Sequence, residues 1–306
     1  VNGDSVDDGH CLQLEGFQVP SSSRGSLYKS PHLRSDQKTL KVLSYNVWCG
    51  DVKLRERMRA IGNLIQTHSP DLICFQEVTP EIYEIFENSN WKVAYSCSVS
   101  PERAHKRKYF SMQLSKVPAN FHRKRIGISN KKRELCLAEV DDDQGRKLVF
   151  AASHLVSHGS HSDHPVEMYS RERVAQAKQA LDLLKNYSNV VFGGDMNWDE
   201  KVDGSFPLPH GWVDAWKELR PGEDGWTFDT QANQMLSEHW PLQKRLDRFL
   251  CNLRGFSLSS IERIGTEAIN GLSYSREKKS GKSVRVTILP VLPSDHYGLL
   301  LTISSP

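Results

Sequence analysis

The chain has 306 residues, 38% apolar and 25% charged, which is enough for one large or two ordinary domains with a real core. No window holds the roughly twenty consecutive apolar residues of a membrane-spanning helix, and the N-terminus lacks a signal peptide's apolar centre. A net charge of +3 points to no partner by itself, so the distribution of charge has to be read instead.

Residues 1–38 are rich in Ser, Gly, Asp, Pro and His and read as a disordered leader, with the ordered domain expected over 39–304. The chain opens on Val1 rather than Met, which leaves room for a module upstream. Apolar alternation over 39–48 predicts a strand ending near Asn46. Leu54, Met58, Ile61, Leu64 and Ile65 then recur at helical spacing until Pro70-Asp71. Leu72-Ile73-Cys74-Phe75 is a second buried strand running into Gln76-Glu77, Pro80 opens a helix to about Phe86, and 91–96 reads as another strand. Strand, helix, strand, helix indicates layered α/β structure.

Residues 103–133 contain eleven Lys/Arg and no Asp/Glu, interleaved with Tyr109, Phe110 and Phe121. Such a stripe suits a phosphate backbone, although most charge runs are simply solvated faces. Residues 135–140 and 147–154 form a predicted hairpin whose second strand delivers Ser153-His154. His154, His158, His161 and His164 cluster in sequence, but the intervening Gly159, Ser160 and Pro165 make a loop without zinc-site geometry. The six cysteines show no C-x-x-C pair and read as reduced thiols of a cytosolic or nuclear protein. A long amphipathic helix is expected over 167–187.

It leads into Val190-Val191-Phe192-Gly193-Gly194-Asp195-Met196-Asn197, a buried strand that stops on two glycines and presents a carboxylate and an amide. Asp195 would orient or deprotonate a water while Asn197 donates to a developing oxyanion. A plain strand-end turn is the competing reading. Further on, 211–216 suggests a short helix and 225–230 a turn bearing the exposed aromatics Trp226 and Phe228. Asp247 sits inside an apolar strand, where it needs a cationic partner. Two strands over 256–264 and 283–289 flank a Gly/Ser/Lys-rich loop at 271–282. Ser294-Asp295-His296 then precedes the strand 299–301.

Asn46, Glu77, His154, Asp195 with Asn197, Asp247 and His296 thus fall at or near the ends of separate strands. With the Q-E, G-D-x-N and S-D-H elements, this set and order resemble the endonuclease/exonuclease/phosphatase superfamily over roughly residues 39–304. The local wording, Phe75-Gln76-Glu77-Val78, Thr227-Phe228-Asp229-Thr230 and Arg245-Leu246-Asp247-Arg248, resembles the branch that hydrolyses 5′-phosphotyrosyl-DNA. The resemblance implies a four-layer α/β sandwich of two packed mixed β-sheets, the DNase I-like fold. It implies a monomeric nuclear enzyme, with the cytoplasm as a second compartment, that frees DNA 5′ ends from topoisomerase remnants during repair and binds no membrane.

Carried over, Glu77 would hold Mg²⁺, with Mn²⁺ able to substitute, and Asn46 would share the metal. Asn197 would touch the phosphate or the metal shell, and Asp195 would position the water. Asp247 would orient His296, and His296 with His154 would stabilise the phosphorane-like charge. Lys106, Arg107, Lys108, Tyr109, Trp226, Phe228 and Ser294 would contact substrate. Asp199 and Phe228 stand where vertebrate-type members carry arginine and tryptophan, and the 116–134 region is shorter, so the DNA groove is expected to differ. Sister phosphoesterases, such as AP endonucleases, deadenylases and inositol-phosphate phosphatases, use the same core, and fold does not fix substrate. An inactive DNA-binding module would lack a core residue, and none is missing here.

Overall fold

A computed structural model describes residues 39–128, 133–141, 145–157, 166–236, 241–280 and 283–305. β1 (Thr39–Asn46) leads through α1 (Leu54–His68) to β2 (Leu72–Val78). Then α2 (Pro80–Glu87) and a 3-10 turn (Asn90–Ala94) lead to β3 (Ser96–Cys97), α3 (Pro101–His105) and β4 (Phe110–Ser115). β5 (Asn120–Ile126), β6 (Arg133–Asp141) and β7 (Lys147–Ser153) precede the long α4 (Val166–Leu184), which crosses to β8 (Asn189–Asp195). After these come α5 (Glu200–Asp203), β9 (Val213–Asp214), α6 (Ala215–Leu219), β10 (Phe228–Asp229), a 3-10 turn (Gln234–Leu236) and β11 (Gln243–Lys244). The chain closes with β12 (Asp247–Leu253), β13 (Ser257–Ile264), β14 (Ser273–Ser280), β15 (Ser283–Pro290) and β16 (Gly298–Ser304).

Two six-stranded mixed sheets result, ordered β13-β16-β1-β2-β4-β3 and β5-β6-β7-β8-β12-β9. Among the described strands each sheet has one parallel pair, β1–β2 and β7–β8, joined by the crossover helices α1 and α4. The layering follows from period two. Leu40 and Val42 of β1 point inward to meet Phe150, Val191 and Phe249 of the facing sheet, while Leu43 and Tyr45 turn outward to Met58, Ile61 and Ile65 of α1. Val190 and Phe192 of β8 likewise turn outward to Ala177, Leu181 and Leu184 of α4. Strands buried on both faces must be apolar almost throughout, which is why these runs are so nearly continuous. The result is the four-layer helix, sheet, sheet, helix sandwich.

The two glycines of β8 have separate reasons. A side chain on Gly193 would run into the Phe249 ring, and one on Gly194, at φ 135°, would overlap the Ser153 carbonyl of β7. β7 and β8 therefore approach closely just where they deliver His154 and Asp195.

Several elements differ from the sequence reading, among them 211–216, where Val213–Asp214 pair with β12 and the helix starts only at Ala215. Residues 91–96 are mostly a 3-10 turn, because Trp91 folds edge-on against both Phe86 and Tyr95. The expected loop at 271–282 contains β14, paired with β15 in a ribbon of its own, since Val284, Val286 and Ile288 supply a period-two pattern opposite Lys279, Glu277 and Ser275. Asp247 opens β12 rather than lying within it. The leader and His158, His161 and His164 lie outside the described residues.

Candidate active site

The C-terminal ends of β1, β2, β7 and β8 meet the start of β12 and the segment before β16 along one edge of the sandwich. Asn46 ties the two sheets together there. Its Nδ2 donates to Glu77 Oε1 at 3.2 Å and to Asp195 Oδ2 at 3.0 Å, while its Oδ1 accepts from Trp48 N at 3.0 Å. Asn46 thereby clamps Glu77 and Asp195, while its amide oxygen, with one lone pair taken by Trp48 N–H, keeps a second lone pair for a metal.

The β8–β12 register sets Asp195 opposite Asp247, so two carboxylates share one face of adjacent strands. Like charges in that position repel unless a cation intervenes. His296 supplies it, with Nδ1 2.8 Å from Asp247 Oδ2. Burial alone would lower the His296 pKa, but Asp247, Asp295 and Asp195 together hold it well above its ordinary value. His296 is therefore an imidazolium at neutral pH. His154 is the opposite case: burial lowers its pKa more than Asp195, 3.4 Å from its Nε2, raises it, so it is a neutral imidazole. Burial would raise Asp195, yet the two histidines and the hydrogen bonds from Asn197 N and Asn46 hold it below its usual range. One edge thus presents an ionised carboxylate between a cationic and a neutral histidine.

Asn197 reaches the site by a different route from strand alternation. It adopts φ 48°, its N–H caps Asp195 Oδ1 at 2.9 Å, and its Nδ2 donates to the Leu155 carbonyl at 3.2 Å. The strand-end turn and the functional placement are the same structure. Trp48 and Glu77 also sit at positive φ, 55° and 61°, so left-handed non-glycine residues gather around this edge.

Asp295 is the residue whose role the sequence did not disclose, since it was legible only as part of S-D-H. It is half-buried, and burial together with the neighbouring Glu77 charge pushes its pKa up to about 6, against the pull of His296. The Glu77 carboxyl is also penalised by burial but is held low by His154, Cys49 N–H, Asn46 and His296. Two neighbouring hard oxygen donors, one of them reluctant to ionise, fit a divalent cation that would relieve their repulsion. Asp195, Asp247 and His296 also lie with ligand atoms within 4.8 Å of one another. Within that trio Asp247 and His296 engage each other at 2.8 Å, which leaves Glu77 and Asp295 the carboxylates better suited to a metal.

Arg57 of α1 gave no sequence signal at all. Fully buried beneath Trp48, it donates to the carbonyls of Val47, Trp48, Gly50, Val52 and Pro293, pinning the loop after β1 to the segment that carries Asp295 and His296. Thr227 does the same for Asp247, its Oγ1 accepting from Leu246 N and Asp247 N.

The expected substrate residues divide. Phe228 is half-buried, its ring 5.3 Å from His296 and edge-on. Trp226 is half-buried too, its carbonyl held by Arg263 of β13. Ser294 is buried and donates to the Asn46 carbonyl at 2.7 Å, so it braces the site instead of facing substrate. Tyr109 and Arg107, with Arg133, Glu134 and His154, line a cleft of about 210 Å³. Lys106 and Lys108 are exposed beside it. The basic stripe is broken up in space: Arg103, Arg107 and Arg123 converge on Glu134, one residue beyond the acid-free stretch.

The endonuclease/exonuclease/phosphatase family model matches residues 43–296, which takes in this whole edge. The chain belongs to that family. As a member of the endonuclease/exonuclease/phosphatase family it is a hydrolase of the phosphodiesterase kind, and enzymes of the family depend on a divalent metal. Tyrosyl-DNA phosphodiesterase 2 of Bos taurus is 27% identical over 311 residues, covering 96% of this chain and 77% of the relative. The Homo sapiens protein of the same name is 26% identical, covering 94% and 75%. A crystal structure of D. rerio TDP2 complexed with single strand DNA product shares the fold, at 23% identity and a TM-score of 0.68 over 88% of this chain and all of that one.

Proposed function

We propose that the enzyme hydrolyses the phosphodiester between a DNA 5′ end and a protein tyrosine, with Mg²⁺ or Mn²⁺, and so clears topoisomerase remnants in the nucleus as a monomer. The observation that carries this reading is the candidate site opening, at His154, beside a cleft that offers Arg107, Arg133 and Tyr109, while Phe228 packs against His296. The names of the relatives agree with it.

Glu77 and Asp295 would hold the metal, which supplies Lewis-acid stabilisation of charge on the phosphate when bound. The remaining chemistry belongs to the protein. Asp195, ionised and fixed by Asn46 and Asn197, orients the attacking water and accepts its proton. His296, cationic through Asp247, donates from Nε2 to a non-bridging oxygen as negative charge grows there. His154 is neutral and adds a second donor without repelling the cation. A tyrosine leaving group, with a pKa of about 10, departs more easily than a sugar hydroxyl and needs less protonation.

The test is a cleavage panel of 5′-phosphotyrosyl DNA, abasic duplex, poly(A) RNA and inositol phosphates with either metal. The proposal expects the highest kcat/KM on the first. Preference for any other member replaces it with that sister activity.

A further inference from the structure

The ribbon β14–β15 belongs to neither large sheet, and nothing in the catalytic reading uses it. Its strands pair from Ser273 with Pro290 to Ser280 with Ser283. At roughly 3.3 Å per residue they make an arm about 26 Å long. The base is anchored beside the active site. Tyr274 donates to the Met235 carbonyl at 2.9 Å, and Tyr274 and Leu272 pack with Trp48 around the small core of Met235, Val291, Leu292 and Tyr297. The chain leaving the arm runs directly into Ser294-Asp295-His296.

Cross-strand pairing gives the arm two unlike faces. Tyr274 with Leu289, Arg276 with Thr287 and Lys278 with Arg285 share one; Ser275 with Ile288 and Glu277 with Val286 share the other. Outward of its anchor, the first face carries Arg276, Lys278 and Arg285 and no carboxylate. Among the described residues none of the three has an acidic partner. The second face carries Glu277 and the exposed Val284, Val286 and Ile288.

We infer that the cationic face of this arm binds the sugar-phosphate backbone of duplex DNA behind the end being processed. The inference rests on DNA being the substrate. Charge complementarity selects the occupant: cations with no acidic partner among the described residues, on an arm rooted beside the candidate site, suit a polyanion that must extend away from it. A two-stranded ribbon is also narrow enough to lie along a groove of the duplex. Contacts of this kind set affinity and salt dependence without reading sequence.

The experiment compares two 5′-phosphotyrosyl substrates, a single strand of about four nucleotides and a duplex of about twenty base pairs. At ~3.4 Å per step the duplex spans roughly 68 Å and runs past an arm of about 26 Å, whereas the short strand offers only a few phosphates. Replacing Arg276, Lys278 and Arg285 together with glutamine should raise KM for the duplex on the order of tenfold at low salt and reduce the salt slope by about 2–3, with kcat unchanged. KM for the short strand should stay as in wild type, and thermal melting checks the fold. Lys278→Gln alone, the gentler variant, should reduce the slope by about 1. Changing Val284, Val286 and Ile288 to serine should leave both substrates unaffected. Equal duplex KM in wild type and both glutamine variants overturns the inference, as does a loss that follows the apolar face instead. A wild type that cleaves neither DNA removes the substrate reading itself and the arm's role with it.

Discussion

Asp247 shows how a single carboxylate sets the behaviour of the site. It holds His296 protonated, so Asp247→Asn should let the His296 pKa fall back toward its ordinary 6.5. The alkaline limb of the kcat/KM profile should then move to lower pH, and an NMR titration of His296 gives the same shift directly. The sign for stability follows. A histidine with a raised folded pKa contributes stability that is fully present below about pH 6.5 and fades as pH rises through the folded value. The destabilisation caused by Asp247→Asn should therefore be largest near pH 6 and shrink on the alkaline side. Glu77→Gln removes the strongest hard-oxygen donor and should cost turnover by orders of magnitude, while calorimetry shows weakened Mg²⁺ binding without a change in melting temperature. EDTA should abolish wild-type turnover, and retention of activity in its presence would dismiss the metal.

Elements place these side chains through contacts that lie behind the chemistry. Arg57 connects α1 to the loops on either side of the site through five carbonyl oxygens. A lysine at that position cannot spread its donors over the same fork, so Arg57→Lys should lower kcat and the melting temperature together, the structural cost being about 2–4 kcal/mol. Gly194→Ala drives a methyl group into the Ser153 carbonyl at a φ unfavourable to alanine, and denaturant titration should report a loss of about 3 kcal/mol or more. Phe228 is held on β10 with its ring against His296. With a terminal base stacked on it, Phe228→Ala should raise KM for 5′-phosphotyrosyl DNA roughly five- to 160-fold, the equivalent of about 1–3 kcal/mol, and leave a small phosphotyrosyl diester nearly unaffected.

At the scale of the whole molecule the inter-sheet core is what brings the two halves of the site into register. Phe150 and Phe249 pack at 6.4 Å on the inner face of one sheet, and Gln113 of the other sheet donates to the Phe150 carbonyl across the core. Phe249→Ala should cost about 3–5 kcal/mol and, by loosening β12 against β8, disturb the Asp247 and Asp195 spacing as well. Charge on the outer surface acts by a separate route. Lys106 and Lys108 are exposed, whereas Arg103, Arg107 and Arg123 are partly neutralised by Glu134. Neutralising the two lysines should flatten the salt dependence of DNA cleavage by about 2 in slope, and an unchanged slope would take the stripe out of the binding surface.

The sequence by itself determined the long core strands, the layered architecture and which polar residues end those strands. Each of these is a local property: continuous apolar runs that bury both faces, glycines at a forced close approach, a polar residue at the end of each run. Tertiary structure alone decided which polar groups meet. Asn46 and Asp195 are 149 residues apart, and their contact exists because two sheets pack face to face. The clamp that Asn46 forms between Glu77 and Asp195 likewise depends on partners carried by other strands. Asp295 and Arg57 carried no periodic signal, since their roles come from burial and from partners distant in the chain. The basic stripe read as one track because sequence adjacency hides the turn from β4 to β5, and Glu134, one residue past the window, gathers its arginines only once the strands are paired.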